Sequence, residues 1–367
     1  MRIFVDGYLL NKEFQGTRTY ITELYKSLAL LRKEWIIEFG VNDLTQDIIE
    51  EFKDYQNIKF IIFKEKNKWK RMFKEYGELS YNYDYMHFQY IIPFIKRNKK
   101  CKIVNTIHDV LFLDYPEGFP LIYRLSRKIL FKWSAKNSDI LLTVSEYSKT
   151  KISEHFKINL NQIFITPNGV NSAYLEEYNK EEVKELVYNS YQIKDYILYV
   201  SRIEPRKNQL KLLELYAENP EVYKKYKLVL IGKKSLDFIA FNKYYDSLDL
   251  DIKSNILYFE QVNNKDLINI YRGADYFVYP SLYEGFGIPP IEAAAAKVPV
   301  LSHNKTAMAD FVMLNPYLVD FQKENITDLF KDFILENKSN LEGVKQEVAS
   351  KFTWENSAKR LEDYYKN

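Results

Sequence analysis

The chain has 367 residues and, at roughly 100–200 residues per domain, is long enough for two domains. Its hydrophobic content of 46% and charged content of 28% are typical of a globular protein. The net charge of +3 gives no indication of nucleic acid as a partner, and the single cysteine, Cys101, excludes a disulfide framework and a cysteine-rich metal cluster. Asp6 interrupts the N-terminal apolar run MRIFVDGYLL and no cleavage site follows, so we expect a cytoplasmic protein.

Apolar, β-rich runs alternate with helical patterns along the whole chain. In the first half these runs are residues 2–7, 36–41, 58–63, 85–90, 102–109, 139–146 and 162–169. In the second half they are residues 195–201, 227–232, 255–260, 276–281 and 298–303. Continuous apolar strands separated by helices predict parallel sheets that are covered on both faces, and two such sheets fit the length. The polar, acidic stretch 172–194 marks the passage from one to the other.

Basic residues follow the predicted strand 195–201. The segment SRIEPRKN places Arg202, Arg206 and Lys207 just before a helix that is expected to begin near Asn208. In open α/β sheets, ligands bind beyond the carboxyl ends of the strands. Cations beside a helix N-terminus and its free backbone N–H groups can bind a phosphate or diphosphate. A solvated basic loop is the alternative interpretation.

Two acids frame the segment EGFGIPPIE, residues 284–292, which follows the predicted strand 276–281. The glycines permit close approach of the backbone to a ligand, and the Pro-Pro pair suits the first turn of a helix, where Glu292 is also expected. Both carboxylates should then face solvent on one rim, where they can accept hydrogen bonds from neutral hydroxyl groups. An acid at a helix start can also serve only to stabilise the helix dipole.

Two weaker signals lie in the first half. His108 belongs to TIHD (106–109) at the end of a predicted strand, and Gly16 belongs to FQGTRTY (14–20), before a predicted helix. A single histidine is more often structural than catalytic, and a lone glycine in a loop carries little information. Because all these segments follow strands in both halves of the chain, their joint occurrence favours a binding site.

Together these segments resemble the GT-B-fold, retaining, nucleotide-sugar-dependent glycosyltransferases of the group 1 class, glycosyltransferase family 4. EGFGIPPIEA is similar to the E-x7-E element of that family, and SRIEPRKN to its diphosphate-binding segment. TIHDVLFLDYPE, TVSEYSK and PNGV resemble landmarks of its first domain, and FTWENSAKRLEDYY resembles its closing helix. The resemblance covers nearly the whole chain. It implies an α/β fold of two Rossmann-like, doubly wound parallel-sheet domains that face each other across a cleft.

The resemblance also implies the domain bounds and the roles of particular residues. An acceptor domain would comprise residues 1–175, a nucleotide-sugar donor domain residues 176–350, and a helix returning towards the first domain residues 351–367. The implied catalytic residues are His108, Arg202, Lys207 and Glu284. The implied donor-binding residues are Gly16, Arg202, Lys207, Glu284, Gly285, Phe286, Gly287, Ile288 and Glu292.

Within this set, the resemblance assigns Arg202 and Lys207 to the donor diphosphate. Glu292 would accept hydrogen bonds from the ribose hydroxyls and Glu284 from hydroxyls of the transferred sugar, assisted by backbone N–H groups of residues 285–288. His108 would reach the donor sugar from the first domain. Gly16 would lie close to the donor phosphate or to the acceptor.

The implied function is transfer of a hexose from a nucleotide-diphosphate sugar to a glycan or lipid-linked acceptor, in the synthesis of a cell-surface polysaccharide or glycolipid. The segment HDVLFLDYPE favours relatives that use GDP-mannose. Fixed cations at the diphosphate can replace a metal, so neither a metal nor a cofactor is expected. A nucleotide-sugar epimerase on the same fold and a non-catalytic nucleotide-sugar-binding protein are the alternatives.

The segment DLD, residues 249–251, offers a metal-binding alternative, because Asp-x-Asp binds divalent ions in another class of glycosyltransferases. These aspartates precede the predicted strand 255–260 and therefore fall at the opposite end of the sheet from the other candidates. A solvated loop is the preferred interpretation.

The segment KEKNKWKRMFKEYGEL combines an apolar stripe with basic residues. The stripe consists of Trp69, Met72, Phe73 and Tyr76, at i, i+3, i+4 and i+7. A basic amphipathic helix can lie on an anionic bilayer, and FIKRNKK (94–100) adds further positive charge. Peripheral contact with the cytoplasmic face of the membrane through Lys66–Lys74 is therefore one interpretation. An ordinary helix that packs its stripe on the first sheet is preferred.

Overall fold

The computed structural model describes residues 1–12, 16–234, 238–337 and 339–366. Its described residues divide into two compact units. Unit 1 comprises those of Met1–Gly169 together with those from Trp354 onward, and unit 2 comprises those of Val170–Thr353. Phe14 and Gln15 of the segment FQGTRTY lie outside the described residues.

Unit 1 is built on one parallel sheet. Its strands are β1 (Arg2–Asp6), β2 (Ile36–Val41), β3 (Ile58–Ile62), β4 (Tyr85–Gln89), β5 (Lys102–Thr106), β6 (Ile140–Thr143) and β7 (Ile163–Ile165). Its helices before residue 170 are α1 (Gly16–Leu31), α2 (Gln46–Phe52), α3 (Lys68–Lys70), α4 (Tyr76–Leu79), α5 (Leu111–Asp114), α6 (Leu121–Asn137) and α7 (Glu146–Phe156). The strand order is β3-β2-β1-β4-β5-β6-β7, with every neighbouring pair parallel.

Unit 2 repeats this plan. Its strands are β8 (Tyr196–Val200), β9 (Lys227–Ile231), β10 (Ile256–Phe259), β11 (Tyr276–Tyr279), β12 (Val300–His303) and β13 (Leu318–Val319). Its helices are α8 (Lys180–Tyr191), α9 (Gln209–Ala217), α10 (Pro220–Tyr223), α11 (Ile239–Ser247), α12 (Leu250–Lys253), α13 (Asn264–Gly273), α14 (Ile288–Ala295), α15 (Ile326–Glu336) and α16 (Leu341–Lys351). The strand order is β10-β9-β8-β11-β12-β13, again with parallel neighbours.

Burial explains why these runs form parallel sheets. Residues 3–6 of β1 and 196–199 of β8 are buried without alternation, as expected for strands that are covered by helices on both faces. Each predicted strand run contains an observed strand, so the prediction of two parallel α/β sheets is confirmed. Among the strands of the described residues, β13 alone has no predicted run, and it has only two residues.

The last helix, α17 (Trp354–Lys366), belongs to unit 1 and packs along α1. The hydroxyl groups of Tyr25 and Tyr365 lie 2.6 Å apart in a buried hydrogen bond. Arg32 Nε donates to Glu362 Oε1 at 2.8 Å. Helix α17 therefore contributes to the core of unit 1.

The segment 66–76 does not form one amphipathic helix. It consists of α3, a π-helical turn at Arg71–Glu75 and the start of α4. Met72 and Tyr76 are buried in the core of unit 1, as the packing interpretation predicts, whereas Trp69 and Phe73 are exposed. No helix in the described part of the chain is long and apolar enough to cross a membrane.

Candidate functional site

The sheet of unit 2 has a point where the direction of the chain reverses. From β8 the chain proceeds to β9 and β10 on one side and then returns to β11 on the other side of β8. Such a switch point leaves a crevice at the carboxyl ends of the two central strands. The loops after β8 and β11 meet there, and Leu282 N–H donates to the Arg206 carbonyl at 3.0 Å.

Glu284 and Lys207 form a buried ion pair at this switch point. Glu284 Oε1 accepts hydrogen bonds from Lys207 Nζ at 2.5 Å, Ser281 Oγ at 2.7 Å and the Tyr279 hydroxyl at 2.8 Å. Burial raises the pKa of Glu284, but Lys207 and Arg206 outweigh that effect and hold the pKa at about 2. The expectation that this carboxylate faces solvent is wrong, since Glu284 is only 8% exposed. Its buried position depends on Lys207 and Arg206, which lie far away in the sequence and compensate its charge.

Arg206 is one of the three cations that the sequence analysis found in SRIEPRKN, but the family resemblance gave it no role of its own. Its guanidinium donates to the Tyr283 carbonyl at 2.5 Å and to Glu204 Oε1 at 2.5 Å, and lies 3.3 Å from Glu284 Oε2. In the sequence, its position next to Lys207 in SRIEPRKN indicates that it could take part in the site. With three donors on Oε1 and one long contact on Oε2, Oε2 is the atom of Glu284 with room for another donor.

Arg202 and Lys207 retain hydrogen-bonding capacity for an anion. Arg202 is exposed, and its guanidinium has no hydrogen bond or ion pair within the described residues. Lys207 has three N–H donors, of which Glu284 and the Tyr279 hydroxyl, 3.2 Å away, use two. The predicted helix start is confirmed, since α9 begins at Gln209 without a side-chain hydrogen bond to cap it. Free donors and positive charge therefore lie together after β8.

Glu292 does not lie in the first turn of its helix, contrary to the expectation. Helix α14 begins at Ile288, where the proline pair occupies the next two positions, so Glu292 is the fifth helical residue. The helix begins there because Gly287 adopts a φ of 96°, a left-handed conformation that only glycine accepts readily. Glu292 therefore gains little from the helix dipole, which acts within the first turn.

The surroundings of Glu292 differ from those of Glu284. Its Oε2 accepts a hydrogen bond from the Tyr271 hydroxyl at 3.1 Å, and Tyr271 packs edge-on against Tyr174 with ring centroids 5.2 Å apart. Burial raises the pKa of Glu292 to about 7, against the opposing effect of the Tyr271 hydrogen bond. Glu284 is thus ionised at neutral pH, whereas Glu292 is close to its midpoint.

The loop 285–288 contributes mainly its backbone. The Phe286 side chain is buried, with its ring centroid 5.6 Å from that of Phe311 and 5.8 Å from that of Phe352. A side chain packed in this way holds the loop in place. Any contact of Phe286 with a ligand would therefore come from the main chain.

In unit 1, His108 is held by Gln89, a residue that the sequence did not single out. His108 Nε2 lies 2.5 Å from Gln89 Oε1 at the end of β4, and the Tyr20 ring meets the imidazole edge-on at 4.7 Å. With the amide oxygen of Gln89 turned towards the ring, Nε2 carries the proton and Nδ1 keeps its lone pair. Burial lowers the pKa of His108 to about 3, and the imidazole is neutral at physiological pH.

Gly16 is the first residue of α1, the helix that also carries Tyr20. A Cβ atom added at this position would meet nothing within 4 Å. No close packing among the described residues therefore requires a glycine at this position.

The segment DLD lies where the sequence predicted. Asp249 precedes α12, and β10 follows that helix, so both aspartates are at the amino end of the strand. No cluster of three or more His, Cys, Asp or Glu side chains suited to a metal ion lies in the described ranges.

Comparison with protein families assigns the chain. The model of the glycosyl transferases group 1 matches residues 181–366, half of the chain, and the model of glycosyltransferase family 4 matches residues 39–174. The chain belongs to the group 1 glycosyltransferases. The resemblance inferred from the motifs is therefore confirmed.

Curated relatives within this group include two enzymes of O-antigen chains. O-antigen chain mannosyltransferase B of Escherichia coli is 30% identical over 294 residues, which is 77% of this chain and 75% of the relative. O-antigen chain mannosyltransferase RfbU of Salmonella typhimurium is 30% identical over 198 residues, which is 53% of this chain and 50% of the relative. The chain thus matches three quarters of one relative and half of the other.

Solved structures share the architecture at low sequence identity. Sucrose-phosphate synthase from Thermosynechococcus elongatus superposes with a TM-score of 0.78 at 18% identity, covering 100% of this chain and 98% of that one. HepE from Anabaena, in complex with UDP-glucose, gives 0.75 at 13%, covering 99% and 98%. WaaG, a glycosyltransferase involved in lipopolysaccharide biosynthesis, gives 0.67 at 16%, covering 98% of each chain. Together with the two parallel-sheet units, these solved structures confirm the GT-B fold class.

Proposed function

We propose that the protein is a retaining hexosyltransferase. It moves a hexose, with mannose as the first candidate, from a nucleotide-diphosphate sugar to a glycan or lipid-linked acceptor in cell-surface polysaccharide or glycolipid synthesis. The observation that carries the proposal is the set of charged residues at the switch point of unit 2, where the ionised Glu284 pairs with Lys207 and the exposed Arg202 follows β8 in the same loop as Lys207. The names of the two mannosyltransferase relatives support the sugar and the pathway class.

The two cations and the start of α9 form the proposed diphosphate site. Arg202 supplies a guanidinium without a competing carboxylate, and Lys207 supplies its remaining N–H. The uncapped backbone N–H groups of α9 add donors that favour an anion. We therefore assign unit 2 to the donor and unit 1 to the acceptor. The expected domain bounds of 1–175, 176–350 and 351–367 differ by a few residues from the two units, which change at Gly169/Val170 and at Thr353/Trp354.

Charge development explains the chemistry. As the anomeric C–O bond to the diphosphate breaks, negative charge grows on the leaving oxygen, and fixed cations aimed at it stabilise the transition state. The acceptor hydroxyl attacks from the leaving-group face and forms the new C–O bond with retained configuration. A phosphate oxygen of the leaving group takes the hydroxyl proton, so no protein base is required.

The acids and the histidine orient the neutral parts of the donor. Oε2 of Glu284 accepts a hydrogen bond from a hydroxyl of the transferred sugar, since Oε1 already has three donors. Glu292 accepts from the ribose hydroxyls, and Nδ1 of His108 accepts from a sugar hydroxyl. Gly16, at the start of α1, lies close to the donor phosphate or to the acceptor in this proposal.

The test is a transfer assay with purified protein, radiolabelled nucleotide sugars and a lipid-linked glycan fraction. We expect label to move to the acceptor from one preferred donor, and that donor should raise the melting temperature most, because it binds only the folded state. Turnover should be unchanged by EDTA, because Arg202 and Lys207 supply the positive charge that a metal ion would otherwise supply to the diphosphate.

Three outcomes would contradict parts of this proposal. Loss of activity in EDTA with recovery in manganese would show that a metal serves the diphosphate. Conversion of the free nucleotide sugar without an acceptor would identify an epimerase. Stabilisation by a nucleotide sugar without turnover in either assay would indicate a binding protein.

The ionisation of Glu292 predicts a pH dependence of donor binding. The pKa of this carboxyl is raised to about 7, so it gains its charge as pH rises through neutrality. An ionised carboxylate is the better acceptor for ribose hydroxyls, and binding should release a proton. Donor affinity should therefore fall below neutral pH, towards a limit of about tenfold per pH unit. Calorimetric titrations between mildly acidic and mildly alkaline pH would measure this.

Glu292→Gln is the control for that pH dependence, because it should flatten the profile and bind the donor more weakly at alkaline pH. Glu284 and His108 titrate near pH 2 and pH 3, far below the range measured. The diphosphate of a nucleotide sugar is a diester and does not titrate there either. An unchanged pH profile in the variant would refute the role of Glu292.

The proposed location is the cytoplasm, with peripheral contact at the cytoplasmic face of the membrane. Within the segment 66–74, the side chains available for such contact are the exposed aromatic residues Trp69 and Phe73 and the exposed lysines Lys66, Lys68, Lys70 and Lys74. The buried Met72 is not. This segment therefore offers less apolar surface than its sequence pattern suggests.

A further inference from the structure

Helix α6 of unit 1 exposes a continuous apolar stripe. Ile122 is 83% and Ile129 is 69% exposed, although both belong to a 17-residue helix of a folded unit. At about 100° per residue, the exposed aliphatic positions of α6 fall within an arc about 100° wide. We call this stripe, which consists of Leu121, Ile122, Leu125 and Ile129, the α6 stripe.

The opposite side of the same helix accounts for its stability. Phe131, Ser134 and Ala135 are buried, and the Phe131 ring packs against Tyr90 at 5.1 Å and Phe112 at 5.3 Å. The helix is thus held on unit 1 by this inner face. The α6 stripe adds nothing to that packing and leaves a large apolar area in water, which is unfavourable unless the area is covered in another state.

The charges around the stripe identify what covers it. Helix α6 has no acidic residue and carries five basic residues, Arg124, Arg127, Lys128, Lys132 and Lys136. None of the five forms an ion pair within the described ranges of the chain. Lys132 and Lys136 continue the line of the α6 stripe towards the end of the helix. Long basic side chains at the edge of an apolar face suit the boundary between acyl chains and anionic headgroups.

A second group of aromatic residues extends this surface. The Phe94 ring stacks with Phe73 at 4.8 Å and with Trp69 at 6.2 Å, and it contacts Trp133 of α6 at 5.0 Å. Trp69 and Phe73 are both exposed. The aromatic residues after β3 and the end of α6 therefore belong to one surface, with a composition typical of a membrane interface.

We propose that the α6 stripe inserts into the headgroup region of an anionic lipid bilayer, with the surrounding lysines and arginines on the lipid phosphates. This deepens the peripheral location in the proposed function and moves the main contact from residues 66–74 to α6. The proposal concerns the surface of unit 1 and is independent of the transfer chemistry.

The experiment is co-sedimentation of the full chain with vesicles of phosphatidylcholine alone or mixed equally with phosphatidylglycerol. We expect binding to the mixed vesicles, weakened by salt, and much weaker binding to the neutral ones. Ile122→Ser/Ile129→Ser should lower partitioning roughly tenfold or more, because two apolar side chains no longer leave water. Lys128→Gln/Lys132→Gln should lower it by about ten- to thirtyfold on the mixed vesicles.

The matched control is Ile239→Ser/Leu250→Ser, which removes two isolated apolar side chains that are 58% and 84% exposed on unit 2. It should bind vesicles like the wild type, and all variants should melt at the wild-type temperature. Equal losses in the control and the α6 variant, or salt-independent binding to both vesicles, would overturn the proposal. So would a vesicle-free dimer that dissociates in Ile122→Ser/Ile129→Ser, since a second copy would then cover the stripe.

The vesicle assay contains no nucleotide sugar, and this separates the two proposals. If the protein does not sediment with the vesicles, the membrane proposal is wrong and the proposed transfer reaction is unaffected. Failure of transfer to a water-soluble acceptor would leave the membrane contact standing.

Discussion

Glu284→Gln is expected to lower kcat by roughly 10²–10³, the scale for loss of one preorganised electrostatic contact. Positive charge develops on the sugar ring as the anomeric bond breaks, and a carboxylate beside the ring stabilises that charge. Glu284 meets this requirement because Lys207 and Arg206 keep it ionised, with a pKa of about 2. Glutamine preserves the shape and the acceptor oxygen but removes the charge, so the effect should fall mainly on kcat.

Steady-state kinetics of Glu284→Gln and Glu292→Gln, measured side by side, provide the comparison. The contact of Glu292 with the ribose is similar in the ground and transition states, so its loss should mainly raise the donor KM. Equal effects of the two variants on kcat would mean that the assigned roles are wrong. Melting temperatures should be measured as well, since Glu284→Gln leaves Lys207 and Arg206 without their shared carboxylate.

The sequence predicted the sheets well because the pattern that marks a strand is contained in a few consecutive residues. Residues 195–201 and 276–281 are apolar runs bounded by polar segments, and such runs form strands wherever helices can cover them. The carboxyl ends of these strands then placed Lys207 and Glu284 at one edge without any knowledge of the fold. The local pattern and the rules of sheet topology were therefore sufficient to predict that Lys207 and Glu284 lie at the same edge of the sheet.

The state of each side chain could not be predicted, because it depends on partners distant in sequence. Glu284 is buried because Lys207, 77 residues earlier, neutralises it. Glu292 has a raised pKa because it is largely shielded from solvent beside Tyr271 and forms no ion pair with any cation in the described part of the chain. Two acids that look equivalent in EGFGIPPIE therefore differ in charge at neutral pH.

The exposed side of α6 was also beyond the reach of the sequence analysis. Its alternation of apolar and basic residues is what an ordinary surface helix shows, and only the burial of Phe131 and Ala135 reveals which side faces the core. The segment 66–76 shows the converse. Its regular stripe suggested one face, but the π-helical turn places Met72 inside and Phe73 outside.

Lys207→Met should cause the largest combined loss of activity and stability. The variant removes a cation from the proposed diphosphate site, and we expect kcat/KM to fall about 10³-fold. It also removes the cation closest to the buried carboxylate of Glu284. Removal of one partner of a buried ion pair costs about 3–5 kcal/mol, and we expect the lower end because Arg206 remains.

The double variant Lys207→Met/Glu284→Gln separates the two losses. Removing both charges eliminates the uncompensated carboxylate, so the double variant should recover about 2 kcal/mol of the free energy of unfolding relative to the sum of the single changes. Activity should not recover, because the diphosphate and the sugar ring have each lost a contact. Urea unfolding and transfer kinetics on all four proteins measure both quantities. Stability that is simply additive would show that Lys207 and Glu284 are not paired, and recovery of activity would show that the pair serves only the fold.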